Sequence, residues 1–309
     1  MIRIEDDILH LQRTGLLERL LHDRTTHRNI IWATDAHAGL GAAFERDKEI
    51  RAELITGDYS GVIRTRAAKE AGQQNDRTRQ HGEVFTPLWV CRKMNDYADE
   101  MWFGRAKVFD RSDGLDEAVV FPEGKSWTDY VDSRRMEITC GEAPYLVSRY
   151  DVADGEGIPL KERTGILDRK LRIVNEHAKS EKDWVKWAFR AYEATYGYEF
   201  QGDNLLIARV NMIMTFEEYL SSRFGRMPTE EEYTRLVRVI TWNIWQMDGL
   251  TGRIPYSRAA EEHHQMNLFE WLGIEDETPA ADRQPDCMIY DWRSKRRVVY
   301  NSLKETNAV

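Results

Sequence analysis

Apolar residues recur three and four positions apart through residues 6–22, where Ile8, Leu9, Leu11, Leu16, Leu17, Leu20 and Leu21 form one stripe and predict a helix. The next segment, NIIWATDAHAGLGAAF, mixes a short apolar run with Ala and Gly and selects neither helix nor strand. Residues 64–82 lose periodicity: Arg, Lys, Gln, Asn and Gly dominate, which predicts an irregular connection and puts a boundary near residue 80. The pentad Glu-Val-Phe-Thr-Pro at 83–87 interrupts that polar stretch and leads at once into an amphipathic helix.

From there the pattern alternates. AKVFD and EAVVFP read as strands, and RRMEITCGEAPYLV as a strand running into a turn. A helix over 181–196 begins at Ser180, carries Trp184, Trp187, Ala188 and Ala191 on one face, and stops at Gly197. After it come a strand YGYEF, a turn QGDN, and the apolar helix LLIARVNMIMTFEEYLSSRF closed by Gly225. A capping box, Thr229 with Glu232, starts another helix. VITWNIWQMD is a β-rich run ending on an acid, and DCMIYDWRSKRRVVYNSL reads as strand, polar turn, strand. Strands alternating with helices predict an α/β layer with parallel pairing. The predicted organisation is an N-terminal mainly helical region over 1–80 and an α/β core over 81–309.

The 309 residues, 41% hydrophobic and 31% charged, suffice for one large domain or a core with an appended module. No stretch approaches the roughly 18 apolar residues of a membrane span. The N-terminus has acids and no apolar signal core, and Cys91, Cys140 and Cys287 are too dispersed for a disulfide framework or a zinc site, so the expected setting is a reducing cytoplasm. A net charge of −9 disfavours a long nucleic-acid surface and leaves room for a local basic face. Arg64 to Arg79 and the run Arg293, Lys295, Arg296 and Arg297 are the candidate clusters. The Asp35-x-His37 pair lacks further ligands at metal-binding spacing, and His263-His264 falls on an amphipathic pattern whose histidines face solvent.

In an α/β fold, ligands sit beyond the carboxyl ends of the strands. Three predicted strand ends carry groups suited to an adenosyl ligand. After MEIT come Cys140-Gly141-Glu142-Ala143, small enough for backbone amides to approach a ligand; after YGYEF, Glu199 or Asp203 could accept both ribose hydroxyls; after ITWNIWQM, Asp248 could accept from an exocyclic adenine amine.

These elements resemble the amino-methyltransferases that modify adenine in DNA, in the arrangement of modification subunits of restriction systems. GEVFTP is similar to that family's G-x-[FY]-[FY]-T-P element, EITCGEAPYLVSRYD to D-P-A-C-G-S-G-x-F-L, GYEFQGDNLLIARVNMIMTF to the acidic strand and its following helix, and NIWQMDGL to N-I-x-x-G-D-[ST]-L. The similarity covers roughly residues 80–290. It implies a Rossmann-like class I methyltransferase core that binds S-adenosyl-L-methionine. Phe85 would lie against the methionine portion, with Thr86 on its carboxylate and Pro87 completing the lid. Glu137 and Cys140 would stand in the glycine motif, Gly141 would allow close approach, Glu199 would hold the ribose, and Asp248 would meet the adenine.

The pattern also departs from the family. Ala143 replaces the second glycine and Glu137 the leading Asp. The family's [NDS]-P-P-[YF], which accepts the target amine and stacks on the flipped base, has no direct counterpart. In its place stands IYDWRS, with Asp291 as acceptor and Trp292 or Tyr290 as stacking ring. Pro255-Tyr256 lies seven residues past Asp248, too close to follow a crossover helix. The chain stops soon after Asp291, so the sheet is expected to be incomplete or rearranged, with a second copy or a partner subunit supplying the rest. The resemblance implies methyl transfer to adenine N6 in double-stranded DNA. A degenerate subunit that binds cofactor or DNA within a complex is the competing expectation, and a methyltransferase of RNA, protein or a small molecule is a third.

Overall fold

The computed structural model describes residues 2–69, 86–109, 118–256 and 286–303. Eight α-helices and five strands are formed among them: α1 (Ile4–Arg13), α2 (Leu17–Leu21), α3 (Leu88–Phe103), α4 (Trp127–Val131), β1 (Arg135–Glu137), α5 (Ile166–His177), α6 (Glu181–Glu193), β2 (Thr195–Glu199), α7 (Gly202–Phe224), α8 (Glu230–Asn243), β3 (Ile244–Gln246), β4 (Met288–Asp291) and β5 (Arg296–Val299). Strands β1, β2 and β3 form a parallel sheet in that order, with Met136 opposite Tyr196 and Tyr198 opposite Trp245. The fold is therefore mixed α/β with parallel pairing, as the alternating pattern predicts.

Several elements take the predicted form for local reasons. Thr229 and Glu232 form the capping box of α8, and Ser180 caps α6 by accepting from the Asp183 amide. Gly104 and Gly225 close α3 and α7 in the left-handed conformation. Helix α7 carries little amphipathic bias because it is enclosed nearly all round, from Gly202 to Leu220.

Other elements differ from the pattern. The stripe over 6–22 is two helices, broken at Thr14-Gly15, where Gly15 has φ of +68°. The β-branched run VITWNIWQMD stays helical to Asn243 and yields only a three-residue strand, because Val239 and Ile240 pack into the main core as part of a helix while Trp242 packs on Tyr290 of the hairpin. The described parts of AKVFD and EAVVFP form no strand. They pack the half-buried Phe109 and Phe121 against Phe103 and Tyr130, with ring centroids 5.6–5.7 Å apart for Phe103–Phe121 and Phe109–Tyr130, so aromatic packing replaces pairing.

The N-terminal region is built into the sheet domain. Leu11, Leu17 and Leu20 belong to the same hydrophobic cluster as α7 and Ile244. Arg209, fully buried in α7, donates to the carbonyls of Leu20, His22 and Ile244 at 2.6, 3.2 and 2.8 Å. At the β3 edge the Gln246 amide accepts from Ile31 N–H at 2.9 Å and donates to Ile31 O at 2.8 Å, so a side chain covers an edge that a further strand would otherwise pair. At the entry to α7, a Cβ on Gly202 would stand 2.0 Å from Ile31 O, so the close approach requires glycine.

The antiparallel β4–β5 hairpin pairs Tyr290 with Arg297 and Asp291 with Arg296. It packs on one face of the sheet, where Tyr196, Tyr198, Trp245, Met247 and Cys287 form a second cluster with Ile289, Trp292 and Tyr300. No helix among the described residues is long and apolar enough to cross a membrane.

Candidate functional site

A cleft of about 1150 Å³ opens at the carboxyl ends of β1, β2 and β3. Its floor comes from the three turns that leave the sheet: Ile138, Thr139 and Gly141 after β1, Glu199, Phe200 and Gln201 at the end of β2, and Asp248 and Leu250 after β3. Thr86, Asn95 and Tyr145 form one wall, while Asp35, Arg46 and Tyr256 close the other.

The turn after β1 is left-handed at three places, with φ of +49° at Thr139, +53° at Gly141 and +66° at Ala143. Gly141 is free to adopt this geometry; Ala143 does so at the position where the resembled motif has glycine. Cys140 N–H donates to Tyr198 O at 2.8 Å and fastens the turn to β2. Gly197 makes room for it, since a Cβ there would lie 3.3 Å from the Cys140 side chain. Below the turn, buried Glu142 accepts from the Tyr150 hydroxyl at 2.7 Å, and its carbonyl accepts from Asn211 at 3.0 Å.

Glu199 is the pivot. Its Oε2 accepts from Gly141 N–H at 2.8 Å and its Oε1 from Gln201 N–H at 3.1 Å, which ties the first turn to the second across the cleft floor. Burial raises its carboxyl above the ordinary Glu value, against the Gln201 and Gly141 amides, which favour the anion. Glu137, also lining the cleft, is buried, and its Oε2 has no hydrogen-bond partner. Burial holds its carboxyl well above the usual range, opposed by backbone hydrogen bonds from Tyr145 and Leu146.

The sequence-predicted residues divide clearly. Thr86, Glu137, Gly141, Glu199 and Asp248 converge on the cleft. Asp248 accepts from Leu250 N–H at 2.9 Å through Oδ1. Cys140 is buried beneath the turn, where burial raises its thiol pKa well above the ordinary value. Pro87 leads into α3, and Phe85, like His263-His264, lies outside the described residues. Asp203 does not line the cleft: it is buried in the first turn of α7, with Oδ2 3.2 Å from His37 Nε2 and Oδ1 accepting from Asn204 N–H. Of the two alternatives for a ribose acceptor, Glu199 alone faces the cleft.

The structure does not bring Asp291, Trp292 and Tyr290 to this cleft. The strand that carries them pairs with β5 in a hairpin and not with β1, so its end does not join the other strand ends. Trp292 Nε1 donates at 2.7 Å to Asn243, the residue before β3, and Tyr290 O accepts from the Tyr196 hydroxyl at 3.2 Å. Both contacts lie at the amino ends of the sheet strands or on the hairpin-covered face, away from the carboxyl-end turns. Asp291 accepts from Arg293 N–H and Ser294 Oγ in its own turn; burial opposes these bonds, yet its pKa lies below the usual value. It borders a separate cavity of about 350 Å³ with Arg134, Tyr196 and Trp245. Arg293 is held by Asp132 at 3.0 Å, Lys295 forms the hairpin turn with φ of +55°, and Arg296 and Arg297 are exposed on β5.

The sequence pattern does not place Arg46, Asn95, Tyr145 or Phe200 at the site, and it sets aside Asp35, as half of an incomplete metal pair, and Tyr256, as too close to Asp248 to follow a crossover helix; the structure brings both to the cleft wall. Phe200 was available as the aromatic directly after the acid that ends β2. Asp35 and Arg46 come from the segment whose period is undefined, and contacts with distant residues seat it: Ile31 with Gln246, Trp32 O with Gly202 N–H, and His37 with Asp203. The described residues hold no cluster of His, Cys, Asp and Glu suited to a metal ion. No family model, curated protein or solved structure matches the chain.

Proposed function

We propose that the cleft binds S-adenosyl-L-methionine and that the chain serves methyl transfer to the N6 amine of adenine in double-stranded DNA, as the modification component of a restriction-modification or phage-related system. One observation carries this reading: Glu199, the Gly141 turn and Asp248 leave three adjacent parallel strands and meet in one cleft. The residues present suit the cofactor. Glu199 would accept from the ribose hydroxyls, Asp248 from the adenine amine, and Phe200 and Leu250 would flank the ring. Thr86 and the buried, unpartnered Oε2 of Glu137 would receive the methionine end. When bound, the cofactor supplies an activated methyl group; the chain's contribution would be to orient it and exclude water.

A second reading is a methyltransferase-like subunit that binds cofactor or DNA without chemistry of its own. The placement of Asp291 and Trp292 away from the cleft favours it. A partner subunit or a second copy would then complete the sheet along β1. That strand is at the edge of the sheet, and Met136 beside that edge and Ile138 just past it are exposed.

The test pairs calorimetric binding of S-adenosyl-L-methionine with transfer of its labelled methyl to unmodified duplex DNA, the product nucleoside being identified by mass spectrometry. N6-methyladenine establishes the enzyme. Binding without transfer selects the subunit, and absence of cofactor binding removes the enzyme and leaves of the second reading only a subunit that binds DNA.

A further inference from the structure

Helix α8, the loop after α2 and the β4–β5 hairpin meet on a face that is not part of the cleft. Arg238 and Trp242 are neighbours one turn apart on α8. The Arg238 guanidinium lies 5.8 Å from the ring centroids of both Tyr290 and Trp292, and Trp242 carries Arg297 at 5.6 Å. Arg24 joins them by donating to Thr241 at 2.9 Å. Burial, and then the like charges of Arg238, Arg19 and Arg297, lower the Arg24 pKa against the opposing charge of Asp23, so these four arginines share one electrostatic neighbourhood. Among the described residues none of the four has a carboxylate within the 4.0 Å of an ion pair. Positive charge outnumbers negative here, four arginines beside one buried aspartate, in a chain whose net charge is −9.

We propose that this face is a second binding surface, separate from the cleft, that grips the phosphate backbone of double-stranded DNA. The choice of DNA as the polyanion rests on the functional reading above; the anion-binding character of the face does not. The aromatic rings lie beneath the guanidinium groups and are partly buried, so they fix the arginines in place and are not free to stack on unpaired bases. That arrangement reads phosphates on a duplex and not the bases of a single strand. A lipid surface is disfavoured because α2, α8 and the hairpin strands expose no large apolar side chain to insert. The face positions the duplex through its backbone, so losing it would weaken DNA binding without touching cofactor binding.

The test is fluorescence anisotropy of the full chain with a labelled duplex at salt concentrations between about 50 and 200 mM, comparing wild type with Arg238→Glu/Arg297→Glu. Both arginines are exposed, and circular dichroism checks the fold. Lys179→Glu/Lys182→Glu, exposed residues at the start of α6, makes an equal charge change elsewhere. The expected result is an affinity loss of roughly tenfold or more for the arginine pair, with the salt slope flattened by about 0.9 per phosphate contact removed. Equal losses for both double variants overturn the proposal. So does wild-type binding to phosphatidylserine vesicles but not to the duplex. Calorimetry with S-adenosyl-L-methionine on the same samples separates the claims: cofactor binding with an unchanged DNA slope sinks the face alone, whereas a flattened slope without cofactor binding sinks the functional reading alone.

Discussion

Glu199→Gln is the perturbation that bears most directly on the cleft. The carboxylate accepts from Gly141 N–H and Gln201 N–H and lines the cleft, where it would also accept from the ribose. Gln preserves the shape but turns one oxygen into an amide NH2, which must face one of those two backbone donors. Hydrogen bonds to a charged acceptor are worth about 1.5–3 kcal/mol and neutral ones about 0.5–1.5, so weakening two ribose contacts costs about 2–3 kcal/mol of binding. At about 1.4 kcal/mol per tenfold, the affinity for S-adenosyl-L-methionine should fall roughly 30- to 140-fold by isothermal titration calorimetry. Asp203→Asn is the matched control, because its carboxylate is turned to His37; it should leave affinity within about threefold, a change under ~1 kcal/mol. The pH dependence follows from the same carboxylate. Burial raises the Glu199 pKa, and ribose hydroxyls need the anion as acceptor, so wild-type affinity should weaken as pH falls through that raised value, while Glu199→Gln loses that part of the dependence and keeps only the part due to Glu137, whose carboxyl burial also raises. A folded Glu199→Gln variant that binds as tightly as wild type would refute the assignment.

Four further outcomes follow from named contacts. Asp291→Ala should leave cofactor affinity within about threefold, since a surface change away from a site is usually worth no more than ~0.5 kcal/mol; a large loss would mean that the hairpin reaches the cleft after all. Gly202→Ala, which places a methyl against Ile31 O, should lower stability by about 1–3 kcal/mol in urea titration, and an unchanged midpoint would show that the N-terminal segment is not seated there. Arg209→Leu strips a donor from three carbonyls and should cost at least about 2 kcal/mol in the same assay. Glu137 has a folded-state pKa held well above the ordinary value by burial, so its effect on wild-type stability is most favourable below the ordinary Glu pKa and is lost as pH rises through the folded value; Glu137→Gln should therefore gain in melting temperature relative to wild type as pH rises above the ordinary Glu value, and a parallel pair of curves would contradict this.

The elements with local punctuation were legible in the sequence. Ser180, the Thr229–Glu232 box and Gly225 mark helix ends through their own hydrogen bonds and dihedral preferences, and those ends fall where expected. Elements decided by distant partners were not. Val239, Ile240 and Trp242 favour a strand by propensity, yet they lie on α8, Val239 and Ile240 in the main core and Trp242 against Tyr290 of the hairpin. Phe109 and Phe121 look like strand residues in isolation, but their rings find Phe103 and Tyr130. NIIWATD has no period because Gln246, more than two hundred residues away, supplies its edge contact.

The candidate site shows the same division with a sharper consequence. A residue at the end of a parallel strand has its position set by the sheet, so Gly141, Glu199 and Asp248 could be placed together from strand order alone. Asp291 was assigned by the same rule, which holds only if its strand joins that sheet. The polar turn Arg293-Ser294-Lys295 offers β4 a nearer partner in β5, and antiparallel pairing across a short turn needs no crossover helix. Local closure therefore draws the hairpin onto the Tyr196–Trp245 face and leaves β1 at the sheet's edge. If the chain does transfer methyl groups, the candidate acceptors for the target amine among the described residues are on the cleft wall, where Asn95, Asp35 and Tyr256 stand, and the alternative is a chain docked along β1. Transfer by the isolated chain that survives Asp291→Ala but not Asn95→Ala would select the wall, and transfer that appears only when a second chain is added would select the edge.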